Sequence, residues 1–408
     1  MLYKIEVENF YSIKDRQILD LSIDSNVIDD ENRYSPIFQG SEKRAPKVVA
    51  IFGANASGKT TLLRVLEFIV SMVVRSVSDA SGMWAMPFND QQSANTPMKL
   101  ALEFGGFVGD PVPLLHDQSD EKIKEQQGLF RYELEIEVSD GVPKQILVEA
   151  LRKRPHGKGK WQRVFERDSK SNVKGSDIFS LSGFGHLTKT LAPNHSVLSS
   201  FAKFNHPAAK HYVEMVSRVL FVMDSLHSTP ERSIVDLFSQ QSGQFDNLRR
   251  EIGRMDVGIE DVRLLETKDG PQLSFKHRGL HQEMGLPFES KGTRTFIKVL
   301  PIIHYVLESG SMAAIDEIDD SIHPNLLPEI TRWFYNISRN PDSAQLFFTS
   351  HAVSLLEHLK KEEIVICEKN SDGRTKMFSL MEVKSLRRDD NHYRKYVDGI
   401  YGGVPLIG

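Results

Sequence analysis

The sequence contains very little cysteine, and Cys367 is its one residue of that type among 408. A single cysteine excludes both an intramolecular disulfide and a cysteine-rich zinc site. The chain also lacks a run of about 20 apolar residues that could cross a bilayer. Its first residues carry charges too early and too often for a signal peptide. These absences together predict a cytoplasmic protein without membrane contact.

A strong excess of positive charge is absent as well. The 51 lysines and arginines are outnumbered by 55 aspartates and glutamates, which gives a net charge of −4. Such a chain is not built to coat nucleic acid, although a local basic patch could still touch it. Sustained heptads and internal repeats are also lacking, which excludes a long coiled coil and a repeat architecture. What remains is the pattern of a globular protein with two or three domain-sized units.

Residues 53–60 match the P-loop pattern G-x-x-x-x-G-K-[ST] at every fixed position. An apolar, strand-like run at 47–52 precedes them, and a helical pattern follows from Lys59. Glycines in such a loop let backbone N–H groups converge on phosphate oxygens, and the helix N-terminus adds the positive end of its dipole. Lys59 is expected to reach the β- and γ-phosphates, and the Thr60 hydroxyl to bind Mg²⁺. The predicted nucleotide-binding residues are Gly53, Asn55, Ala56, Ser57, Gly58, Lys59, Thr60 and Thr61.

A second apolar run, residues 312–315, ends in two acids, Asp316 and Glu317. A buried strand with carboxylates at its tip supplies what a Mg²⁺ site beside a P-loop needs. We expect Asp316 to hold the metal and Glu317 to polarise the attacking water. A plain polar turn is the alternative, because Asp319 and Asp320 follow closely. The P-loop earlier in the chain favours the metal site.

Two smaller features accompany these motifs. Ser290 and Gly292 come just before a helical pattern at 293–307, and His351 follows a strand-like run at 345–349. Small residues at a helix start can bind an anion, whereas the residues alone favour an ordinary N-cap. His351 could approach the γ-phosphate, but a histidine after a strand is more often a surface or capping residue. Each feature is weak in isolation.

Taken in chain order, these four elements resemble the ABC-type ATPases. The closer resemblance is to the AAA-family ATP-binding proteins of the OLD (overcoming lysogenization defect) and abortive-infection type. The segments that carry it are residues 8–13, 52–61, 289–293, 315–324, 349–351 and 401–405. Tyr11 departs from the pattern, because the opening motif often has arginine there. The middle of the chain carries no motif of the family.

The resemblance implies an α/β fold: a P-loop NTPase with an ABC-type ATPase head, in which helices flank a mixed sheet. Residues 1–82 would form the first half of the head and residues 289–408 the second. Residues 83–288 would be an inserted region of antiparallel strands followed by a largely helical lobe. Within it, residues 194–224 and 233–251 predict mainly helices.

The resemblance also implies a mechanism with ATP and Mg²⁺ as ligands. Two subunits would sandwich two ATP molecules, so that Ser290 and Gly292 of one subunit face the P-loop of the other. Lys59, Glu317 and His351 would be catalytic, with Thr60 and Asp316 at the metal. The expected assembly is therefore a homodimer or a higher homo-oligomer that closes on ATP.

The biological output is open to several interpretations. OLD proteins often carry a Toprim nuclease domain, for which we find no acid-rich segment, so the effector (a nuclease or toxin) is expected to be a separate protein. The chain would then be a sensor or regulator in anti-phage defence. The alternative is a DNA-repair or chromosome-handling SMC-like ATPase whose basic run at 152–163, with Trp161, binds DNA. A transporter subunit is the third reading, and the long insert disfavours it.

Overall fold

The protein is described by a computed structural model over residues 1–79, 82–107, 127–223, 231–255, 258–268, 270–320, 324–384, 386–387 and 390–404. His323 and Pro405, which belong to the motif segments above, lie outside these residues. The strands are β1 Leu2–Glu8, β2 Gln17–Asp20, β3 Tyr34–Pro36, β4 Arg44–Pro46, β5 Val48–Phe52, β6 Met98–Phe107, β7 Gln127–Ser139, β8 Val142–Pro155, β9 Gln162–Arg167, β10 Val173–Lys174, β11 Leu220–Val222, β12 Ile259–Thr267, β13 Gly270–His277, β14 Met284–Gly285, β15 Met312–Ile315, β16 Gln345–Thr349, β17 Ile364–Lys369 and β18 Thr375–Ser379. The α-helices are α1 Lys59–Arg75, α2 Gly185–Thr190, α3 Val197–Lys203, α4 Pro207–Ser217, α5 Glu231–Gln240, α6 Ser242–Met255, α7 Lys291–Ser309, α8 Leu327–Tyr335 and α9 His392–Val397.

The central sheet has the strand order β11-β15-β16-β5-β17-β18. All neighbours in it are parallel except β18, which runs antiparallel to β17. Because β5, β15 and β16 run in the same direction, their carboxyl ends meet at one edge of the sheet, where ligands bind in open α/β folds. One strand, β16, separates the P-loop strand β5 from β15.

The strand β5 is fully buried and contributes to two cores. Val49 and Ile51 face the core that contains α1 and the antiparallel strands, whereas Val48, Ala50 and Phe52 face the core that contains α7 and α8. This alternation follows from the two-residue period of a strand. The helix α1 packs between the strands of this parallel sheet and the antiparallel strands, which explains why so much of its length is apolar and buried.

A second, antiparallel sheet has the order β10-β9-β8-β7-β6-β1-β2. It combines strands from both sides of the P-loop, since β1 pairs with β6. Conversely, β11 belongs to the predicted insert but pairs in parallel with β15, which lies in the predicted second half of the head. The division of the chain at 82 and 288 stays a prediction, and backbone pairing crosses both positions.

The prediction of mainly helical structure over 194–224 is wrong at residues 220–222. These form β11, in register with Ala313, Ala314 and Ile315 of β15. Their apolar side chains fit a helix or a strand equally well. They form a strand because they pair with β15 at the edge of the parallel sheet. Residues 194–217 contain α3 and α4 as expected.

The predicted α/β fold class, that of a P-loop NTPase, is confirmed. A glycine-rich loop joins a buried parallel strand to a helix, and helices cover both faces of the mixed sheet. Among the helices of the described residues, none combines the length and hydropathy that a bilayer span requires.

Candidate functional site

The P-loop between β5 and α1 depends on two glycines with positive φ. Gly53 has φ of +155°, and a Cβ there would lie 2.3 Å from the carbonyl oxygen of Cys367. Gly58 occupies the N-cap of α1 with φ of +104°, and its Cβ would lie 2.3 Å from the Thr375 hydroxyl. Neither position accommodates a side chain, so the neighbouring strands β17 and β18 fix the shape of the loop.

We expect Gly53→Ala to lower the free energy of unfolding by about 3 kcal/mol, because the methyl group collides with backbone that cannot rotate away. Gly373→Ala is the matched control: Gly373 has φ of +76°, but nothing lies within 4 Å of its Cβ position. That variant should lose only about 1 kcal/mol, from φ strain alone. Urea unfolding measures both, and equal losses would contradict the steric explanation.

Lys59 is the first residue of α1, and its side chain folds back over the loop. Its ammonium donates to the carbonyl oxygens of Gly53 at 2.9 Å and Ala54 at 3.1 Å. Burial lowers the pKa of Lys59, and the carboxylates of Glu317 and Asp316 oppose the shift. The ammonium group is therefore held at the loop, within the cleft where phosphates would lie.

Asp316 and Thr60 come together where β15 and α1 meet. The Thr60 hydroxyl donates to Asp316 Oδ1 at 3.2 Å. The Thr349 hydroxyl, from the end of β16, donates to the same oxygen at 2.5 Å and accepts the Glu317 backbone N–H at 2.7 Å. Hydroxyl and carboxylate oxygens are the ligands that Mg²⁺ prefers. Thr60 and Asp316 therefore fit a magnesium ion.

Thr349 is a residue that sequence reasoning missed. Its position at the carboxyl end of β16 was predicted, but its contact with Asp316 depends on β16 lying directly beside β15. The strand order therefore had to be known before the hydroxyl could be assigned. The signal available in the sequence was a threonine, rather than an apolar residue, at the tip of a buried strand.

Glu317 and His351 lie at the open side of this arrangement. Glu317 adopts φ of +48°, unusual for a residue with a side chain, and its side chain is 56% exposed. His351 Nε2 lies 3.5 Å from Glu317 Oε1. The backbone N–H of His351 donates to both carboxylate oxygens of Asp319 at 3.0 Å, which fixes the start of the loop after β16. Glu317 is thus exposed to the cleft with a histidine beside it.

An open cleft of about 700 Å³ lies over the P-loop, within the size range of small-ligand sites. Tyr11 and Phe88 line the cleft, together with Lys369 at the end of β17 and Asp372 in the turn that follows. The predicted site residues that line it are Asn55, Ala56, Ser57, Gly58, Lys59, Thr60, Thr61, Glu317 and His351. Gly53 is not part of the lining and packs closely against the backbone of Cys367.

Ser290 and Gly292 do not line this cleft. Ser290 is the exposed N-cap of α7, where its hydroxyl accepts the Thr293 N–H at 3.0 Å. The N-cap favoured by the residues alone is therefore present. Phe288, two residues earlier, is 75% exposed. Within one subunit these residues form a surface apart from the P-loop.

The sequence model of one protein family matches residues 48–357, which include the P-loop, Asp316 and Glu317. Its description is "AAA domain, putative AbiEii toxin, Type IV TA system". No curated protein shows significant sequence similarity to the chain.

Several solved structures are similar to the chain at low identity. A crystal structure of an SmcHead bound to the C-winged helix domain of ScpA has 13% identity and a TM-score of 0.47, over 94% of this chain and 99% of that one. The SMC head domain from Thermotoga maritima has 13% identity and a TM-score of 0.43, over 93% and 98%. At these values, the fold assignment rests on the strand order of this chain itself.

Proposed function

Because the chain belongs to the AAA domain family whose model spans residues 48–357, we propose that it is a Mg²⁺-dependent ATPase whose site is built from its P-loop and the tip of β15. The observation that carries the proposal is the contact of Thr60 with Asp316, which brings these two motifs together beside Glu317. Two independent sequence motifs therefore converge on one cleft, and His351 lines it as well.

Each residue has a role that follows from its position. Lys59 and the P-loop N–H groups bind the β- and γ-phosphates. Thr60 and Asp316 would hold Mg²⁺, which when bound neutralises phosphate charge. Glu317 accepts a proton from the water that attacks the γ-phosphorus, and ADP leaves with the electrons of the broken P–O bond. His351 orients the Glu317 carboxylate.

We extend the proposal to a homodimer, or a higher homo-oligomer, that closes on ATP. At the N-terminus of α7, Ser290 is exposed and Gly292 is half-buried, and both lie outside their own subunit's cleft. A helix N-terminus favours anions, so a second copy of the chain could present this surface to the γ-phosphate. Contacts made only in the closed state would make ATP a dimerising ligand.

Ser290→Asp should abolish dimerisation in ATP without unfolding the protein. Aspartate caps a helix as well as serine does, but its charge would face the phosphates of the partner subunit. Ser290→Asn is the matched control, because it also caps the helix and adds no charge. Light scattering in a Glu317→Gln background should give twice the 46.3 kDa monomer mass for the control and the monomer mass for Ser290→Asp. Equal dimerisation of both variants would exclude Ser290 from the interface.

The role that we propose is a sensor or regulator of a separate effector in anti-phage defence, as in proteins of the OLD and abortive-infection type. The family description, which names a toxin of a type IV toxin–antitoxin system, supports this context. Phage plating on cells that express the chain with its genomic neighbours tests it. Protection that survives Glu317→Gln and Lys59→Ala equally would count against a role for the ATPase.

A DNA-handling ATPase remains the second candidate, and the charges of the predicted basic run weigh against it. Arg152 lies 3.4 Å from Glu133, and Arg163 lies 3.7 Å from Glu166. Arg154 covers the Trp161 ring, with its guanidinium carbon 4.3 Å from the ring centroid. Carboxylates that neutralise arginines, and an arginine on the tryptophan face, reduce what remains for phosphates and bases.

A further inference from the structure

A second cavity, of about 280 Å³, lies against the half of α1 that is remote from the P-loop. Its walls come from α1, the antiparallel sheet, α4 and the start of β15, with Ile69, Leu102, Val216 and Met312 as representative lining residues. An engineered apolar cavity of about 150 Å³ already binds benzene. The cavity in this protein is therefore large enough for a small organic ligand.

The chemistry of the lining selects the kind of ligand. Most of the surface is aliphatic or aromatic, and no carboxylate belongs to it among the described residues. Its one charged side chain is Arg218, an exposed residue that follows α4. Ser309 and Ser311 belong to the same lining, where their hydroxyls are hydrogen-bonded to each other and that of Ser309 donates to the Tyr305 carbonyl. An apolar body with an anionic head satisfies both parts, because the guanidinium group can donate to a carboxylate.

We propose that this cavity binds a small amphiphile, an aliphatic monocarboxylate, and that its occupancy regulates nucleotide binding at the P-loop. The regulatory half of the proposal rests on the function proposed above, whereas the binding half stands without it. The two halves are tested separately for that reason.

Three walls of the cavity lead directly into the candidate nucleotide site. The helix α1, whose Ile69 and Val73 line the cavity, begins at Lys59 and Thr60. The strand β15, whose first residue Met312 lines it, leads to Asp316.

The third wall leads to the same carboxylate. Arg218 and Val219 line the cavity and precede β11, where the Val222 carbonyl accepts the Asp316 N–H at 2.8 Å. Close-packed elements transmit displacement rather than absorb it. A ligand that moves α4 or β11 therefore acts on the residue predicted to hold the metal.

Calorimetric titration of the full chain with decanoate tests binding. We expect saturable binding to the wild type and binding about tenfold weaker for Arg218→Ala, because a charge-assisted contact is lost. Lys210→Ala, on α4 but outside the cavity, is the control and should bind like the wild type. Val216→Phe, which fills the cavity, should lose binding while its melting temperature shows that it is folded.

Decanol has the apolar chain of decanoate but no carboxylate, so it tests the apolar lining without the contact to Arg218. It should bind wild type and Arg218→Ala equally. No saturable binding of decanoate to the wild type, or undiminished binding to Val216→Phe, would overturn the proposed site. If Val216→Phe does not fold, the test is the decanoate affinity of Arg218→Ala compared with that of Lys210→Ala. Equal affinities would overturn the proposal.

The regulatory half is measured as the ATP dissociation constant with and without saturating decanoate. Coupling is supported if decanoate changes the ATP dissociation constant of the wild type about threefold or more and does not change that of Val216→Phe. If Val216→Phe does not fold, a smaller change in Arg218→Ala at the same decanoate concentration supports coupling instead. An unchanged constant overturns it while leaving the binding site standing. A wild type that binds ATP without hydrolysing it would refute the proposed ATPase activity, yet both decanoate measurements would still give their answer.

Discussion

Glu317→Gln is expected to lower kcat for ATP hydrolysis about a thousandfold, the scale on which a general base contributes. Glutamine has nearly the same shape as glutamate but cannot accept the proton of the attacking water. The affinity for ATP should stay within a few fold, because Glu317 is not placed to bind the phosphates. The Glu317 side chain is 56% exposed and lines the cleft, so the substitution leaves the core intact.

Phosphate release by purified wild type and variant measures this effect, each with and without duplex DNA. Glu329→Gln serves as the matched control, since Glu329 is a partly exposed glutamate on α8 and lies outside the cleft. Loss of activity in Glu317→Gln alone, with a wild-type rate that DNA does not change, supports the proposed regulatory ATPase. Strong stimulation by DNA would instead favour the DNA-handling alternative. Equal rates for both variants would remove Glu317 from the mechanism.

Lys59→Ala is expected to weaken ATP affinity about a hundredfold, which corresponds to about 2.7 kcal/mol. The ammonium lies at the P-loop, hydrogen-bonded to the carbonyls of Gly53 and Ala54, and lines the cleft. Its removal takes away a charge-assisted contact and exposes the phosphates to two carbonyl dipoles of unfavourable sign.

Titration with a fluorescent ATP analogue measures the affinity. Lys99→Ala, an exposed lysine on β6, is the control and should bind ATP like the wild type. A melting temperature close to that of wild type is required, so that lost affinity is not lost folding. Undiminished binding by Lys59→Ala would mean that nucleotide is held elsewhere, and the P-loop assignment would fall with it.

The parts of the fold that the sequence predicted well are the buried parallel strands. Residues 312–315 and 345–349 were predicted as strands, and they are β15 and β16. Strands buried on both faces read as short apolar runs bounded by turn residues, and their limits are therefore sharp. The helix α1 was equally clear, because Gly58 and Lys59 mark its start.

The contacts between distant segments could not be predicted in the same way. Tyr11 and Phe88 share the wall of the cleft because the Asn9 side chain accepts the Phe88 N–H at 2.9 Å. Nothing local in the sequence links residues that lie so far apart. Likewise, β11 is a strand only because β15 offers it an edge. The roles of the site residues, including the trans contact of Ser290, stay predictions until the variants above are measured.

The place of β5 in its sheet has a consequence for synthesis of the protein. Both of its neighbours, β16 and β17, come from the last part of the chain. The ribosome must therefore release most of the polypeptide before the P-loop strand has any partner, and pairing across such a separation is slow. Until then the apolar residues of β5 lack their partner strands, and we expect chaperones to engage that stretch during translation. The contact of Thr60 with Asp316 likewise requires β16 between β5 and β15, so the candidate nucleotide site forms only late in synthesis.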